Sequence, residues 1–192
     1  EYTLVACADY VLSHKKGNTV SNLSSTRALR DVTEKHGGTY TASAVGEVNV
    51  VNAMKANKAV IGGEGNGGII LPEAHYGRDA LVGIALFLSL LAERQIAVSA
   101  LKKTYPLYFM SKKKIDLNPS IDVDGLLRTM ENTYAHEPMT TVDGVKIDFS
   151  DSWVHLRKSN TEPIIRIYTE APSQHQADAL ADRFIAELKA LS

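Results

Sequence analysis

Residues 58–68 read KAVIGGEGNGG, a short β-branched run followed directly by glycines that enclose one carboxylate, Glu64, and one amide, Asn66. The run Lys58 to Gly62 predicts a strand, and the glycines let the backbone of the following loop approach a ligand closely. Open α/β sheets bind ligands at the carboxyl ends of their strands. The segment therefore predicts an α/β domain with a binding loop in which Glu64, Gly65 and Asn66 are candidate contacts.

The residues on either side of this loop repeat the alternation of helix and strand. This pattern predicts an α/β domain over residues 1–108 with a mixed, mainly parallel sheet. Asp79 is the predicted cap of the most apolar helix, and either Ser24 or Ser25 is the predicted cap of an earlier one. The other predicted elements are strands near Thr19–Leu23 and Thr39–Ala42, and helices ending at His36, over Glu47–Lys55 and over Ala80–Ala92.

The second part of the chain has a different pattern. Residues 106–118 form a predicted polar connector, in which Lys112–Lys114 are expected to be solvated. Residues 116–192 are then predicted to form a smaller α+β domain with an antiparallel sheet, a hairpin turn at Asp143-Gly144 and a C-terminal helix from Ser173. Its other predicted elements are a helix over Ile121–Tyr134 and strands over Met139–Val142, Val145–Phe149, Trp153–Arg157 and Ile164–Glu170.

Composition narrows the classes of function. The chain has 21 Lys+Arg against 22 Asp+Glu and a formal net charge of −1, so no broad positive field favours nucleic acid as a partner. The single cysteine, Cys7, has no internal disulfide partner, which fits a cytoplasmic setting. The apolar run Ala80–Ala92 is shorter than the roughly 18 residues of a membrane span, so it predicts a buried helix, and no membrane is expected as a partner. The six histidines show no metal-ligand spacing.

A second polar run, Arg157-Lys158-Ser159-Asn160-Thr161-Glu162-Pro163, lies between two predicted strands. A guanidinium can bind phosphate oxygens in pairs, while hydroxyls, an amide and turn N–H groups add neutral donors. Phosphate is the ligand that suits this set. A plain surface hairpin rich in turn residues remains the alternative on composition alone.

The glycine run also has alternatives. Gly63–Gly68 fits the pattern G-x-G-x-x-G of dinucleotide-binding loops, yet the following residues Ile69–Pro72 look extended rather than helical, which disfavours a nucleotide. A purely structural glycine turn stays open.

Taken together, the two runs resemble those of the α-D-phosphohexomutases. That family carries G-E-x-S-G-H in its third domain, here Gly63–Gly68, and R-x-S-[NG]-T in its fourth, here Arg157–Thr161. The segments Gly77-Arg78-Asp79-Ala80-Leu81 and Asp143-Gly144-Val145-Lys146 also look like family sequence. The similarity covers essentially the whole chain, so the chain is expected to hold the third and fourth domains of such an enzyme.

The resemblance implies a mechanism and a set of site residues. In the family, a phosphoserine on the first domain exchanges phosphoryl groups with a hexose phosphate through a bisphosphate intermediate, and Mg²⁺ is bound by an aspartate-rich loop of the second domain. Here Glu64 and Asn66 would hold sugar hydroxyls. The phosphate that does not react would be bound by Arg157, Ser159, Asn160 and Thr161. Glu47 is a further candidate, since some members have a histidine there, although a solvated helix residue is the alternative.

The chain contains neither the family's serine loop nor its metal loop. We therefore expect no catalytic residue and no metal site in it, a requirement for the first two domains as partners, and no turnover by the chain alone. The chain also begins at Glu1 without an initiating methionine, as expected of a segment cut from a longer protein. Glucose or mannose phosphate is the expected substrate, with glucosamine phosphate as the alternative, and a non-catalytic sugar-phosphate-binding module as the alternative of another class.

Overall fold

The computed structural model describes residues 1–116, 121–159, 162 and 164–191. The chain divides into two compact units, Glu1–Leu107 and Tyr108–Ser192.

The first unit is built around a four-stranded sheet in the order β2-β1-β3-β4. Strand β1 pairs in parallel with both β2 and β3, while β4 returns antiparallel to β3. The predicted α/β domain with a mixed, mainly parallel sheet is thereby confirmed. Its elements are α1 (Tyr2–His14), β1 (Asn18–Asn22), α2 (Ala28–Lys35), β2 (Tyr40–Ser43), α3 (Glu47–Ala56), β3 (Ala59–Glu64), β4 (Gly68–Ile70), α4 (Ala80–Arg94) and α5 (Val98–Lys102).

The central strands of this sheet are buried, which is typical of parallel sheets. Val20 and Ile61 are fully buried in β1 and β3, as expected of strands covered by helices on both faces. Helix α3 packs Val50 and Met54 against Val20 and Ile70, which forms one core of this unit. Because β1, β2 and β3 run in the same direction, their carboxyl ends lie along one edge of the sheet, and the glycine-rich loop begins there.

The second unit has a five-stranded antiparallel sheet in the order β5-β9-β8-β7-β6. Helices α6 and α7 contribute Leu126, Met130, Phe184 and Leu188 to a core that they share with the sheet. The predicted α+β domain is confirmed. Its elements are β5 (Phe109–Asp116), α6 (Val123–Thr133), β6 (Met139–Thr140), β7 (Val145–Asp148), β8 (Trp153–Lys158), β9 (Ile164–Ala171) and α7 (Gln174–Leu191).

The predicted connector over residues 106–118 was wrong for its central part. Phe109–Asp116 form strand β5, which pairs with β9 along its whole length and belongs to the sheet of the second unit. Ser111 and Ile115 are buried, but three consecutive lysines between them conceal the alternation by which a half-buried strand is recognised.

Local cap signals were right at some helices and wrong at one. The Asp79 carboxylate accepts a hydrogen bond from the Val82 N–H at 3.0 Å, as predicted. Helix α2, however, begins at Ala28 with Arg27 as its N-cap. The hydroxyl of Ser25, one of the two predicted caps, is bonded elsewhere, within the glycine-rich loop.

Candidate functional site

Glu64 is the last residue of β3 and is only 5% exposed. Both of its carboxylate oxygens have donors: Asn22 Nδ2 donates to Oε1 at 2.9 Å, and Arg78 Nη1 donates to Oε2 at 3.4 Å. A buried polar group is costly without hydrogen-bond partners, and these two contacts supply them. Glu64 is therefore a fixed acceptor at the carboxyl edge of the sheet.

The start of the glycine-rich loop is anchored to the neighbouring strand. Gly65 N–H donates to Ser25 Oγ at 2.9 Å, and Ser25 Oγ donates in turn to Asn22 Oδ1 at 2.9 Å. Asn22, the last residue of β1, thus contacts both Glu64 and Ser25 through its two amide atoms. These contacts explain why Ser25 does not cap α2, since its hydroxyl is used to hold the loop.

Glu47 is the first residue of α3 and is tied to Arg78. The backbone N–H and the Nε of Arg78 donate to the two carboxylate oxygens of Glu47, each at 2.9 Å. These hydrogen bonds, the backbone one foremost, lower the pKa of Glu47 below its ordinary value. Glu47 is accordingly an ionised carboxylate at neutral pH.

An open pocket of about 540 Å³ lies beside these groups. Asn66 is exposed at its rim, and its side-chain oxygen accepts a hydrogen bond from Gly68 N–H at 3.2 Å. Glu64 contacts the wall of the pocket through Arg78. The structure thus brings Glu47 and Asn66 into one pocket and connects Glu64 to it. The lining residues are Glu47, Asn66, Gly67, Gly68, Arg78, Asp79 and Ala80.

In the second unit, Arg157 lies near the carboxyl end of β8 and is oriented by a carboxylate. Its Nε is 3.0 Å from both carboxylate oxygens of Asp143, which lies in the turn before β7. Its two terminal nitrogens make no hydrogen bond to any residue that the structure describes. The guanidinium is therefore fixed through one edge, while its terminal nitrogens remain available for an anion.

His155 stabilises the turn that holds Asp143. Its ring is buried, and burial lowers the pKa of His155, so the imidazole is neutral at pH 7. Its Nε2 is 2.6 Å from the carbonyl oxygen of Asp143, which can only accept, so Nε2–H donates. Asp143 is held through its backbone by His155, and it holds Arg157 through its side chain.

Ser159 directly follows the last residue of β8. Ser159 N–H donates to the Ile164 carbonyl at 3.0 Å, which brings the two ends of the loop together. The candidate residues Asn160 and Thr161 lie outside the described residues.

The described part of the chain contains no group of three or more His, Cys, Asp or Glu that could bind a metal ion. Over the same residues, no helix combines the length and apolar character that crossing a bilayer requires.

A separate family model matches each of the two units. Residues 1–108 match the family model described as phosphoglucomutase/phosphomannomutase, alpha/beta/alpha domain III. Residues 110–187 match the model for the C-terminal domain of the same family. The chain belongs to the phosphoglucomutase/phosphomannomutase family.

Individual phosphohexomutases carry different names. A phosphoglucosamine/phosphogalactosamine mutase of Sulfurisphaera tokodaii is 33% identical over 165 residues, which cover 85% of this chain and 36% of that protein. A phosphoglucomutase/phosphomannomutase of Thermococcus kodakarensis is 33% identical over 178 residues, which cover 91% of this chain and 39% of that protein. The chain therefore spans well under half the length of these relatives.

A solved structure of a protein from this family has a similar fold. The crystal structure of a phosphoglucomutase/phosphomannomutase family protein from Burkholderia thailandensis superposes with a TM-score of 0.79 at 26% identity. The superposition covers 98% of this chain and 41% of that one.

The structure adds residues that were not candidates from the sequence. Arg78 was noticed only as part of a family-like segment, and Asn22, Ser25 and Asp143 were not assigned to a site. One available signal was the position of Asn22 at the carboxyl end of a predicted parallel strand, where ligand-site residues of α/β sheets lie. No local pattern indicates that Arg78 contacts Glu64.

Proposed function

We propose that this chain is the substrate-holding C-terminal part of a mutase that interconverts hexose 1-phosphate and hexose 6-phosphate. The observation that carries the proposal is the guanidinium of Arg157, fixed through Nε by Asp143 at 3.0 Å with its terminal nitrogens available at the start of a phosphate-type loop. Membership of the phosphohexomutase family supplies the substrate class.

Each unit would contribute one half of substrate binding. In the first unit, Asn66 and Gly65 in the loop, with the carboxylate of Glu64, offer hydrogen-bonding groups for sugar hydroxyls, and Glu47 lines the same pocket. In the second, Arg157 binds the phosphate that is not being transferred, and Ser159, Asn160 and Thr161 complete its donors. Holding the substrate in a reactive geometry is most of what phosphoryl transfer asks of a protein.

The transfer itself is assigned to other parts of the parent enzyme. There a phosphoserine would exchange the phosphoryl group through a bisphosphate intermediate, and Mg²⁺ would neutralise the charge that develops. The described residues offer no group for the ion, so no step through Mg²⁺ is assigned to this chain. The setting that we propose is the cytoplasm.

The preferred sugar is proposed as glucose or mannose. Glucosamine is the second candidate, because the similar proteins of Sulfurisphaera tokodaii and Methanopyrus kandleri are both named as phosphoglucosamine mutases, the latter at 30% identity over 187 residues. Titrating the 6-phosphates of glucose, mannose and glucosamine against the chain ranks the three sugars directly. Tighter binding of glucosamine 6-phosphate would reverse the proposed order.

Arg157→Ala tests the phosphate role. We expect this variant to bind glucose 6-phosphate about tenfold more weakly or worse, since a charge-assisted pair to phosphate is lost. The measurement is an NMR titration, which quantifies weak binding. Lys114→Ala, which removes an exposed positive charge on β5 of the same unit, is the matched control and should bind as the wild type does. Unchanged binding by Arg157→Ala would refute the assigned role.

Assays of hexose phosphate conversion distinguish part of a mutase from a non-catalytic binding module. The chain alone, with Mg²⁺ and a hexose bisphosphate, should not convert glucose 1-phosphate, and measurable conversion would contradict the proposed division of labour. Fused to the N-terminal portion of the Thermococcus kodakarensis relative, the chain should give conversion. A folded fusion that binds hexose phosphate without converting it would favour the non-catalytic module.

A further inference from the structure

Arg78 connects the elements that surround the sugar pocket. It lies before α4, contacts Glu47 at the start of α3 through its backbone N–H and Nε, and contacts Glu64 at the end of β3 through Nη1. One side chain therefore joins two carboxylates from different elements. Among the described residues, no hydrogen bond to Nη2 of Arg78 is found, so that nitrogen is available at the pocket.

The stem of Arg78 also explains a glycine in the loop. A Cβ placed on Gly68 would lie 2.5 Å from Arg78 Cδ and 3.1 Å from Cγ. The backbone of Gly68 does not have positive φ, so the absence of a side chain serves to admit the arginine. Gly68 and Arg78 are thus coupled by shape, while Glu47 and Arg78 are coupled by charge.

The hydrogen bonds of Glu47 determine its chemical role. Both of its oxygens accept from Arg78, and its pKa is lowered by that backbone N–H first and by the guanidinium second, with a smaller contribution from His75. A carboxylate that stays ionised and is engaged on both oxygens is a poor proton donor to a substrate. Its geometry instead suits the orientation of Arg78.

We infer that Arg78 is a positioning residue of the sugar pocket, which fixes the carboxylate of Glu64 and is itself fixed by Glu47. The inference rests on the proposed function, because Glu64 and the pocket are assigned to the sugar of a hexose phosphate. Glu47 acts on the sugar through Arg78, and Gly68 provides the space that this arrangement requires.

Non-additivity of variants tests the inference. Arg78→Ala should weaken binding of glucose 6-phosphate about tenfold and Glu47→Gln about threefold, while the double variant should bind no more weakly than Arg78→Ala, since both changes break one unit. Arg78→Lys should recover binding only in part, because a single ammonium cannot make the paired contacts of a guanidinium. Arg30→Ala, an arginine on α2 paired with Asp31, is the control and should bind normally.

The steric relation between Gly68 and Arg78 gives a second test of the inference. Gly68→Ala should weaken binding in the wild-type background and have no effect in the Arg78→Ala background, where the obstructing stem is gone. Matching amide NMR spectra outside the loop would show that the variants are folded. Strictly additive effects, or normal binding by Arg78→Ala, would overturn the inference.

Titration of the Glu47 carboxyl by NMR in the ligand-free chain separates this inference from the proposed function. Arg78→Ala removes the guanidinium but keeps the backbone N–H, so the pKa of Glu47 should rise part of the way toward its ordinary value. An unchanged pKa would overturn the positioning role whatever the chain binds. A wild-type chain that binds no hexose phosphate would instead overturn the proposed function, even with a shifted Glu47 pKa.

Discussion

Asp9 shows how a single buried charge organises the first unit. It lies in α1 at 2% exposure and accepts hydrogen bonds from His36 after α2, from Arg94 at the end of α4 and from Tyr105 beyond α5. Burial by itself raises the pKa of Asp9, but the contacts from His36, Tyr105 and Arg94 outweigh it and leave the pKa lowered. Asp9 therefore stabilises the fold as a carboxylate that joins three segments.

Asp9→Asn is expected to lower the free energy of unfolding by about 3 kcal/mol at pH 7, because Arg94 loses its carboxylate partner and the hydrogen bonds from His36 and Tyr105 lose a charged acceptor. Since the folded pKa is below the unfolded one, the contribution of Asp9 is complete above about pH 4 and is lost as the pH falls through the folded pKa. Urea unfolding of both proteins at pH 7 and pH 3 should show the difference shrinking in acid. Asp116→Asn, at the exposed pair with Lys114 on β5, is the control and should change little. An equal difference at both pH values would contradict the explanation.

The residues of the candidate site were predictable to different degrees. Glu64 and Arg157 follow from composition at strand ends, because carboxylates, glycines and guanidinium groups concentrate there in the sequence. Arg78 could not be found in this way, since its contacts with Glu47 and Glu64 depend on how the loop before α4 returns to the sheet edge. Asp143 was predicted as a turn former and noted in a family-like segment, but its side chain, which orients Arg157, was not assigned a role.

At the scale of elements, the hairpin turn before β7 has a strict requirement for glycine. Gly144 has φ of +72°, and a Cβ there would overlap the Leu156 carbonyl oxygen and approach the Cα of Arg157 on β8. Gly37, after α2, has φ of +74° with nothing within 4 Å of such a Cβ. The two glycines share a positive φ that would strain an alanine to a similar degree, but they differ in the space around an added Cβ.

Replacing each of these glycines by alanine distinguishes the cost of backbone strain from the cost of steric overlap. Gly37→Ala should cost about 1 kcal/mol of unfolding free energy, as expected for alanine in the left-handed region. Gly144→Ala should cost about 3 kcal/mol, because overlap with β8 adds to the strain. Gly144→Ala should also weaken glucose 6-phosphate binding, since the strand that moves carries Arg157. Denaturant unfolding and NMR titration measure the two effects, and equal costs at the two positions would refute the argument from space.

The sequence predicted a helix start correctly where the capping side chain bonds to the backbone of its own helix. Asp79, a predicted cap, accepts a backbone hydrogen bond from Val82, three residues on. Ser25 failed as a predicted cap because its hydroxyl contacts Asn22 and Gly65, which are distant in sequence. Strand β5 failed because lysines occupy its centre, and only its pairing with β9 defines it.

For the whole molecule, helix α4 presents an apolar stripe at the surface. Leu81, Ile84 and Leu88 are 76%, 54% and 57% exposed, and their spacing places them along one side of the helix. A clustered set of exposed apolar side chains differs from the scattered ones of an ordinary surface. The sequence indicated a buried helix here, whereas the structure buries only Gly83 and Leu90 within it.

Leu81→Lys should therefore leave the free energy of unfolding within about 0.5 kcal/mol of the wild type, as for a surface substitution. It should also reduce the fluorescence of a dye that binds exposed apolar surface. Leu90→Lys, at a buried position on the same helix, should destabilise the first unit strongly, because it buries an unpaired charge. Marked destabilisation by Leu81→Lys would show that its side chain packs within the unit.

The lysines of β5 have one more consequence. This strand is at the end of the sheet order, so its outer backbone groups could pair with a strand of another copy. Lys112 and Lys114 are exposed, and Lys113, on the more buried side, is paired with Asp182 on α7. A row of positive charges repels an identical edge and resists growth of the sheet from molecule to molecule. The same residues that hide the strand in the sequence thus help to keep concentrated protein from aggregating edge to edge.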